Sequence, residues 1–165
     1  MNFFTLHCSK MNLAEYETKY GEIQSLHQLR ATIRTWKKIM ILVDPSLPYW
    51  SKRKGAEDCR MVTKNEGPYE YAVAELEIPL GALVYSETID GLRYFRASSA
   101  VCISIIDGCG LAIKCGRSIY GLAMNCNLTY EVGLNVFPSH AFDLKHTIYT
   151  SGIHFFESSE CAWNF

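Results

Sequence analysis

From residue 70 to residue 156 the chain is written as short apolar runs cut by glycine and proline, and that pattern admits few folds. In Tyr71-Ala-Val-Ala-Glu-Leu-Glu-Ile78, the residues Ala72, Ala74, Leu76 and Ile78 alternate with Tyr71, Val73, Glu75 and Glu77. That is the two-residue period of a strand with one buried face, and Pro79 ends it. Leu92-Arg-Tyr-Phe-Arg96 and Ala100-Val-Cys-Ile-Ser-Ile-Ile106 read as two more strands. Asp107-Gly108 and Cys109-Gly110 follow as turns, because glycine accepts the positive φ that a tight reversal needs. The runs 111–115, 128–132 and 134–137 are further short strands, broken by Gly116, Gly121, Gly133 and Pro138. Strands and helices do not alternate regularly, which argues against a doubly wound parallel sheet. The expectation is an α+β fold: an antiparallel, strongly bent sheet or partial barrel from 70 to 156, packed by one N-terminal amphipathic helix and a short C-terminal helix.

The N-terminal helix is placed at 25–38. Ser25-Leu-His-Gln28 has the spacing of a capping box, and Leu26, Leu29, Ile33, Trp36 and Met40 recur at steps of three and four. Ile39-Met-Ile-Leu-Val43 is apolar throughout and is equally compatible with a buried strand, so the end of the helix is left open. Asp44-Pro-Ser-Leu-Pro48 stops the element, and 44–69 reads as a long loop containing the basic run Ser51-Lys-Arg-Lys54. At the other end, Ile153–Phe156 forms a short apolar strand and Ser158-Ser159 a helix start. Ile153 and Phe155 are assigned to the core, with His154 and Phe156 on the other side. Gly152 is assigned a close contact or conformation that a side chain would spoil. Without a linker or repeat, residues 1–165 are read as one domain, helical over about 1–43 and β-rich over about 70–165.

The 165 residues carry 16 basic and 17 acidic side chains, a formal charge of −1, so no basic surplus recommends a nucleic-acid partner. No apolar run reaches the length that spans a bilayer. The first ten residues lack the basic start and apolar core of an export signal, so the seven cysteines are expected as free thiols, most of them buried. No two cysteines stand in a C-x-x-C pair, and no metal site is expected. Asn127-Leu-Thr129 matches a glycosylation sequon that the same compartment argument sets aside.

Three blocks in order carry a resemblance. They are Tyr71-Ala-Val-Ala-Glu-Leu-Glu-Ile-Pro79 with Arg93–Ala100 behind it, then Tyr130-Glu-Val-Gly133 with Phe142-Asp143, then Ser151-Gly-Ile-His-Phe-Phe156. Together they resemble a domain without assigned activity found in large DNA viruses and bacteriophages, sometimes behind pentapeptide repeats. The likeness covers about residues 70–165. It departs from the family pattern at Tyr149-Thr150, where a cysteine is common, and no pentapeptide repeats stand upstream. The resemblance implies a viral accessory or structural module that acts by binding a viral or host protein without catalysis, in the host cytoplasm or the virion. A second, more distant likeness supplies the alternative, a nucleotide-binding or ADP-ribosyltransferase-like domain. Gly152-Ile-His-Phe-Phe-x-Ser-Ser-x-x-Ala162 is similar to a segment that lines the nicotinamide pocket of poly-ADP-ribosyl transferases. A His-Gly-Thr segment is missing, and the downstream glutamate of that family has no counterpart before Phe165.

His154 is the ionisable group of the terminal strand and has the pKa for acid–base work. Its plainer role is a half-buried imidazole that donates one hydrogen bond to a carbonyl. Asp143, His140 and His146 lie close in sequence but lack a third firm ligand for a metal. Arg93 and Arg96 would face opposite sides of a strand, so only one of them meets a given ligand, and surface ion pairing is the plainer role of each. His154, Tyr130, Arg93, Arg96 and Asp143 are the candidate ligand-binding residues. None is assigned a catalytic role, and no cofactor is nominated.

Overall fold

Asn12 starts the first helix. The computed structural model describes residues 10–42, 69–118, 128–145, 147–148 and 150–165. The Ser51–Lys54 run, Gly121, Asn127, His146, Tyr149 and residues 43–68 lie outside the described residues. A two-residue strand, β1 (Met11–Asn12), runs into α1 (Leu13–Tyr20). The Asn12 side chain accepts the Glu15 N–H at 2.9 Å, while the Glu15 carboxylate accepts the Asn12 N–H at 2.8 Å, a reciprocal capping box. Leu13 and Tyr16 are the buried residues of this helix. Gly21, at φ +94°, ends it and returns its N–H to the Glu17 carbonyl.

The helix expected at 25–38 is therefore corrected to 13–20, and the residues assigned to it form strands. These are β2 (Ser25–Gln28) and β3 (Ile33–Leu42). The apolar spacing fits a helical stripe, yet Ile33, Thr35, Ile39 and Ile41 also alternate, are all buried, and are all β-branched. β-Branched side chains favour the pleated conformation, and β3 gains a partner along its whole length. That partner is β4 (Tyr69–Ile78), with Ile33 opposite Ile78 and Leu42 opposite Tyr69. Of the two readings open for the apolar run, the described residues 39–42 take the strand, which begins six residues earlier.

The rest of the β-structure follows the glycine-cut pattern. In order it comprises β5 (Leu83–Ile89), β6 (Leu92–Ala97), β7 (Ala100–Asp107), β8 (Cys115–Ser118), β9 (Thr129–Glu131), β10 (Asn135–Val136) and β11 (Ile153–Phe155), followed by α2 (Ser159–Asn164). The larger sheet has the order β10-β7-β4-β3-β8-β9, with β1 beside β3; the smaller has the order β11-β6-β5-β2. All pairings are antiparallel except β1 with β3. Just past β11, Phe156 exchanges hydrogen bonds with Trp36 of β3 at 2.7 and 3.0 Å. The terminal strand thus ties the small sheet to the large one, and the result is an open, bent α+β arrangement, not a closed barrel.

Between the sheets, Ile33, Ile39, Ala74 and Leu76 meet Val84, Phe95, Ile153 and Phe155, with Leu13 and Tyr16 of α1 in the same core. Each large apolar side chain so buried contributes roughly 1.5–3 kcal/mol. At Gly116 of β8 an added Cβ would lie 2.7 Å from Ile39 Cδ1 and 2.8 Å from the Met40 carbonyl, so only glycine lets β8 approach β3 this closely. The second helix starts at Ser158, whose hydroxyl accepts the Cys161 N–H at 3.1 Å. It packs on the outer face of β3, where Lys38 Nζ donates to the Trp163 carbonyl and the Phe165 ring lies 4.9 Å from that of Phe156. Cys102 is a buried free thiol, pushed up to about 12 by burial and then by the Glu75 charge; Cys109 and Cys161 are free and exposed. Cys115 is disulfide-bonded, against the expectation of free thiols. The compartment argument missed it because bonding depends on how close two cysteines come in space, which spacing does not reveal.

Candidate functional site

The small sheet has one face on the core and another roofed by the chain between His140 and Gly152. Strand alternation sets this up. Phe95 and Ala97 of β6 turn to the core, so Arg96 must turn to the roof, alongside its register partners Tyr85 of β5 and His154 of β11. Arg96 is fully buried, at 0% exposure, with its guanidinium carbon 4.8 Å from the Tyr85 ring centre and 4.5 Å from that of Phe142. Its Nε donates to the Thr147 carbonyl at 3.0 Å and Nη2 to that of Lys145 at 2.6 Å. Nη1 donates to the carbonyls of Asp143 at 2.6 Å and Ser151 at 3.0 Å. Four of the five donors a guanidinium owns are thus spent on main-chain carbonyls of one segment. Burial lowers the Arg96 pKa, and the Asp143, Tyr85 and Glu87 charges oppose it. The plainer surface-ion-pair role expected of Arg96 is overturned: it is an interior clamp.

Two more polar groups fasten the roof. Ile148 donates its N–H to the Glu87 carboxylate at 2.8 Å and accepts at its carbonyl from His154 Nε2 at 2.7 Å. Because a carbonyl only accepts, the proton of the neutral imidazole sits on Nε2. Gly152 lets the roof close: a Cβ there would stand 3.0 Å from Arg96 Cβ and 3.2 Å from both Arg96 Cδ and Phe142 Cε2. The close contact expected of this glycine is present.

Burial, with help from the nearby charges of Lys37 and Arg96 and against the Ile148 hydrogen bond, pulls the His154 pKa down to about 4 from 6.5. The folded protein therefore holds this imidazole neutral where the unfolded chain protonates it. Between pH 6.5 and 4 the unfolded state binds the extra proton, so stability is full above about 6.5 and falls as the pH drops toward 4. The shift corresponds to about 3 kcal/mol. Urea unfolding across this range should show that loss in the native protein and most of it absent in His154→Gln, whose amide can still donate to Ile148. Equal pH slopes for the two proteins would exclude His154 as the source.

The five candidate residues divide in space. Arg96, His154 and Asp143 come together, though Asp143 acts through its main-chain carbonyl while its side chain accepts the Lys145 N–H. Arg93, on the opposite face, makes a two-pronged pair with Glu17 of α1 at 2.6 and 3.0 Å and also donates to the Ile23 carbonyl. The Glu17 hydrogen bonds raise the Arg93 pKa; burial works to raise that of Glu17, but Arg93 and the Ile23 N–H overcome it and lower it. Tyr130 lies in the main core opposite Gly116, at 0% exposure, with a hydroxyl that has no hydrogen-bond partner among the described residues. Its burial, and then the Cys102 charge, raise its pKa, and its strand belongs to the large sheet while that of Arg96 belongs to the small one.

Sequence reasoning missed Tyr85, Glu87 and Lys37. The first two belong to β5, which was signalled by Leu83–Ile89 standing between Gly81 and Asp90-Gly91, a hairpin signature with both turn residues at positive φ. Lys37 sits in the inward row of β3 opposite Ala74, has no hydrogen bond or ion pair among the described residues, and is lowered to about 8 by burial. No group of three potential metal ligands occurs among the described residues, and none of their helices is long and apolar enough to cross a membrane. No known protein family, curated protein or solved structure matches the chain.

Proposed function

We propose that the chain is a viral accessory or structural module that acts by binding a protein partner and carries out no catalysis. The observation behind this reading is what the shared blocks do. Arg96, Phe142, Asp143, Ser151 and Gly152 all belong to the segments that carry the viral-domain resemblance and contact one another, and His154 of the same segments is bonded to the Ile148 carbonyl. Groups spent on main-chain carbonyls are unavailable to a substrate, so these blocks read as a signature of a fold and not of a reaction. An imidazole with a pKa of about 4, bonded to a carbonyl, is poorly suited to move protons at neutral pH. Binding surface is plentiful by contrast. Leu134 and Phe137, 52% and 62% exposed, flank β10 at the edge of the large sheet. Exposed aromatic and aliphatic residues beside a strand edge suit protein contact.

Cross-linking in cells that express the chain, followed by binding with purified components, tests the reading. A direct partner whose affinity drops at least tenfold with Leu134→Ser/Phe137→Ser, while the folded spectrum is kept, would support it. Thermal-shift titration with dinucleotides and cyclic nucleotides tests the rival, since a tight native-state ligand raises the melting temperature. A rise of several degrees with one nucleotide would overturn the proposal in favour of nucleotide binding.

A further inference from the structure

Where β2 begins, the small sheet comes apart. The β2 ladder with β5 runs from Gln28 opposite Leu83 to Ser25 opposite Ser86 and stops there, although β5 continues to Ile89. The residues before Ser25 peel away toward α1, and a cleft of about 330 Å3 opens between Glu22–Ser25 and Ser86–Thr88, with Arg93 in its wall. Hydrogen-bond parity fixes what β5 presents to it. Leu83 bonds to Ser98 on the β6 side, and Ala82 accepts from Leu29 on the β2 side. Odd-numbered residues of β5 therefore point their N–H and C=O toward β6, and even-numbered ones toward β2. Thr88 is even-numbered and lies beyond the last β2 pair. Its N–H and C=O face the cleft, with no partner among the described residues.

A second observation is independent of the backbone. Ser86 also lines the cleft, is only 7% exposed, and its hydroxyl has no hydrogen-bond partner among the described residues. The hydroxyl itself stays open to the cleft, where it can still take a partner. Arg93 is held by Glu17, and the Glu22 and Glu87 side chains also line the cleft, Glu87 holding the Ile148 N–H. A donor and an acceptor on one strand residue, an unpartnered hydroxyl beside them and a gap in a sheet edge match the pattern of one chemical class, the peptide main chain.

We propose that this cleft takes an extended peptide segment of a protein partner, which pairs with Thr88 and continues the β2 position along β5. Strand addition of this kind draws affinity from main-chain hydrogen bonds and selectivity from pockets for alternate side chains. The inference rests on the protein-binding reading above and assigns that binding a place.

The test uses a randomised heptapeptide library selected against the full chain, with amide exchange and two-dimensional NMR on the tightest peptide. In the free protein the Thr88 amide should exchange much faster than those of Glu87 and Ile89, which point to β6. With peptide bound it should slow at least tenfold, with shifts centred on Ser86, Thr88 and Gln24. Thr88→Pro deletes the outward N–H at an edge position where proline is tolerated. It should weaken the peptide at least tenfold, whereas Thr88→Ser should leave it unchanged. Slow Thr88 exchange without peptide, protection that grows with protein concentration alone, or peptides whose shifts map elsewhere would each overturn the proposal. A partner found in cells that binds Thr88→Pro as tightly as the native chain would sink this site and leave the protein-binding reading standing.

Discussion

Arg96→Ala should release the 142–151 segment and lower stability by roughly 3–5 kcal/mol, the range seen when one side of a buried charged network is removed. The change removes donors from the carbonyls of Asp143, Lys145, Thr147 and Ser151 in one step. Each buried acceptor left without a partner costs about 1–3 kcal/mol unless water reaches it. Opening the roof to admit water would also expose Ile148 and separate Phe142 from the guanidinium. Arg96→Lys should rescue little, because one ammonium cannot span four carbonyls that converge on a planar fork. Urea unfolding gives the magnitude, and hydrogen exchange across 142–152 locates it. A loss under 1 kcal/mol with exchange unchanged would show that the roof is held by something other than the clamp.

Phe155→Ala should cost roughly 3–5 kcal/mol, through lost transfer energy and the cavity left behind. Phe155 is 2% exposed, sits opposite Phe95 in register, and stacks on its ring at 5.2 Å with the planes 17° apart. Stabilities of 5–15 kcal/mol are usual for domains, so this single truncation would remove a large fraction. Phe95→Ala should act similarly, and the double variant should lose less than the sum, because the second truncation removes a contact already gone. Strict additivity would mean the two rings contribute independently. Neighbouring Phe156, only half-buried, should tolerate alanine better, since its main chain and not its ring carries the bonds to Trp36.

The contrast between Arg93 and Arg96 shows how far a sequence can be read. Their three-residue spacing on a strand put them on opposite faces, which is how they stand. It did not say that one would reach a helix carboxylate and the other a set of carbonyls. The error at 25–38 has the same origin. Leu26, Leu29, Ile33, Trp36 and Met40 fit a helix, while Ile33, Thr35, Ile39 and Ile41 fit a strand, and both patterns coexist in one stretch. Pairing with β4 along all ten residues decided between them. The helix that does form has its own signal in Asn12 and Glu15, three apart, the spacing of a capping box.

What the sequence determined was therefore local: the alternation of Tyr71–Ile78, the glycine-cut strands, the Ser158 cap, the inward Ile153 and Phe155, and the crowding at Gly152. These follow from period, branching and the absence of a side chain, all of which are written in neighbouring letters. The tertiary structure alone decided what roofs the small sheet, where the cleft lies and why His154 stays neutral. Arg96 meets carbonyls 47 to 55 residues away, and His154 meets that of Ile148 across a bend. Every residue carries the same carbonyl, so no letter in the sequence distinguishes the ones that become ligands; only the path of the folded chain brings them to the guanidinium and the imidazole.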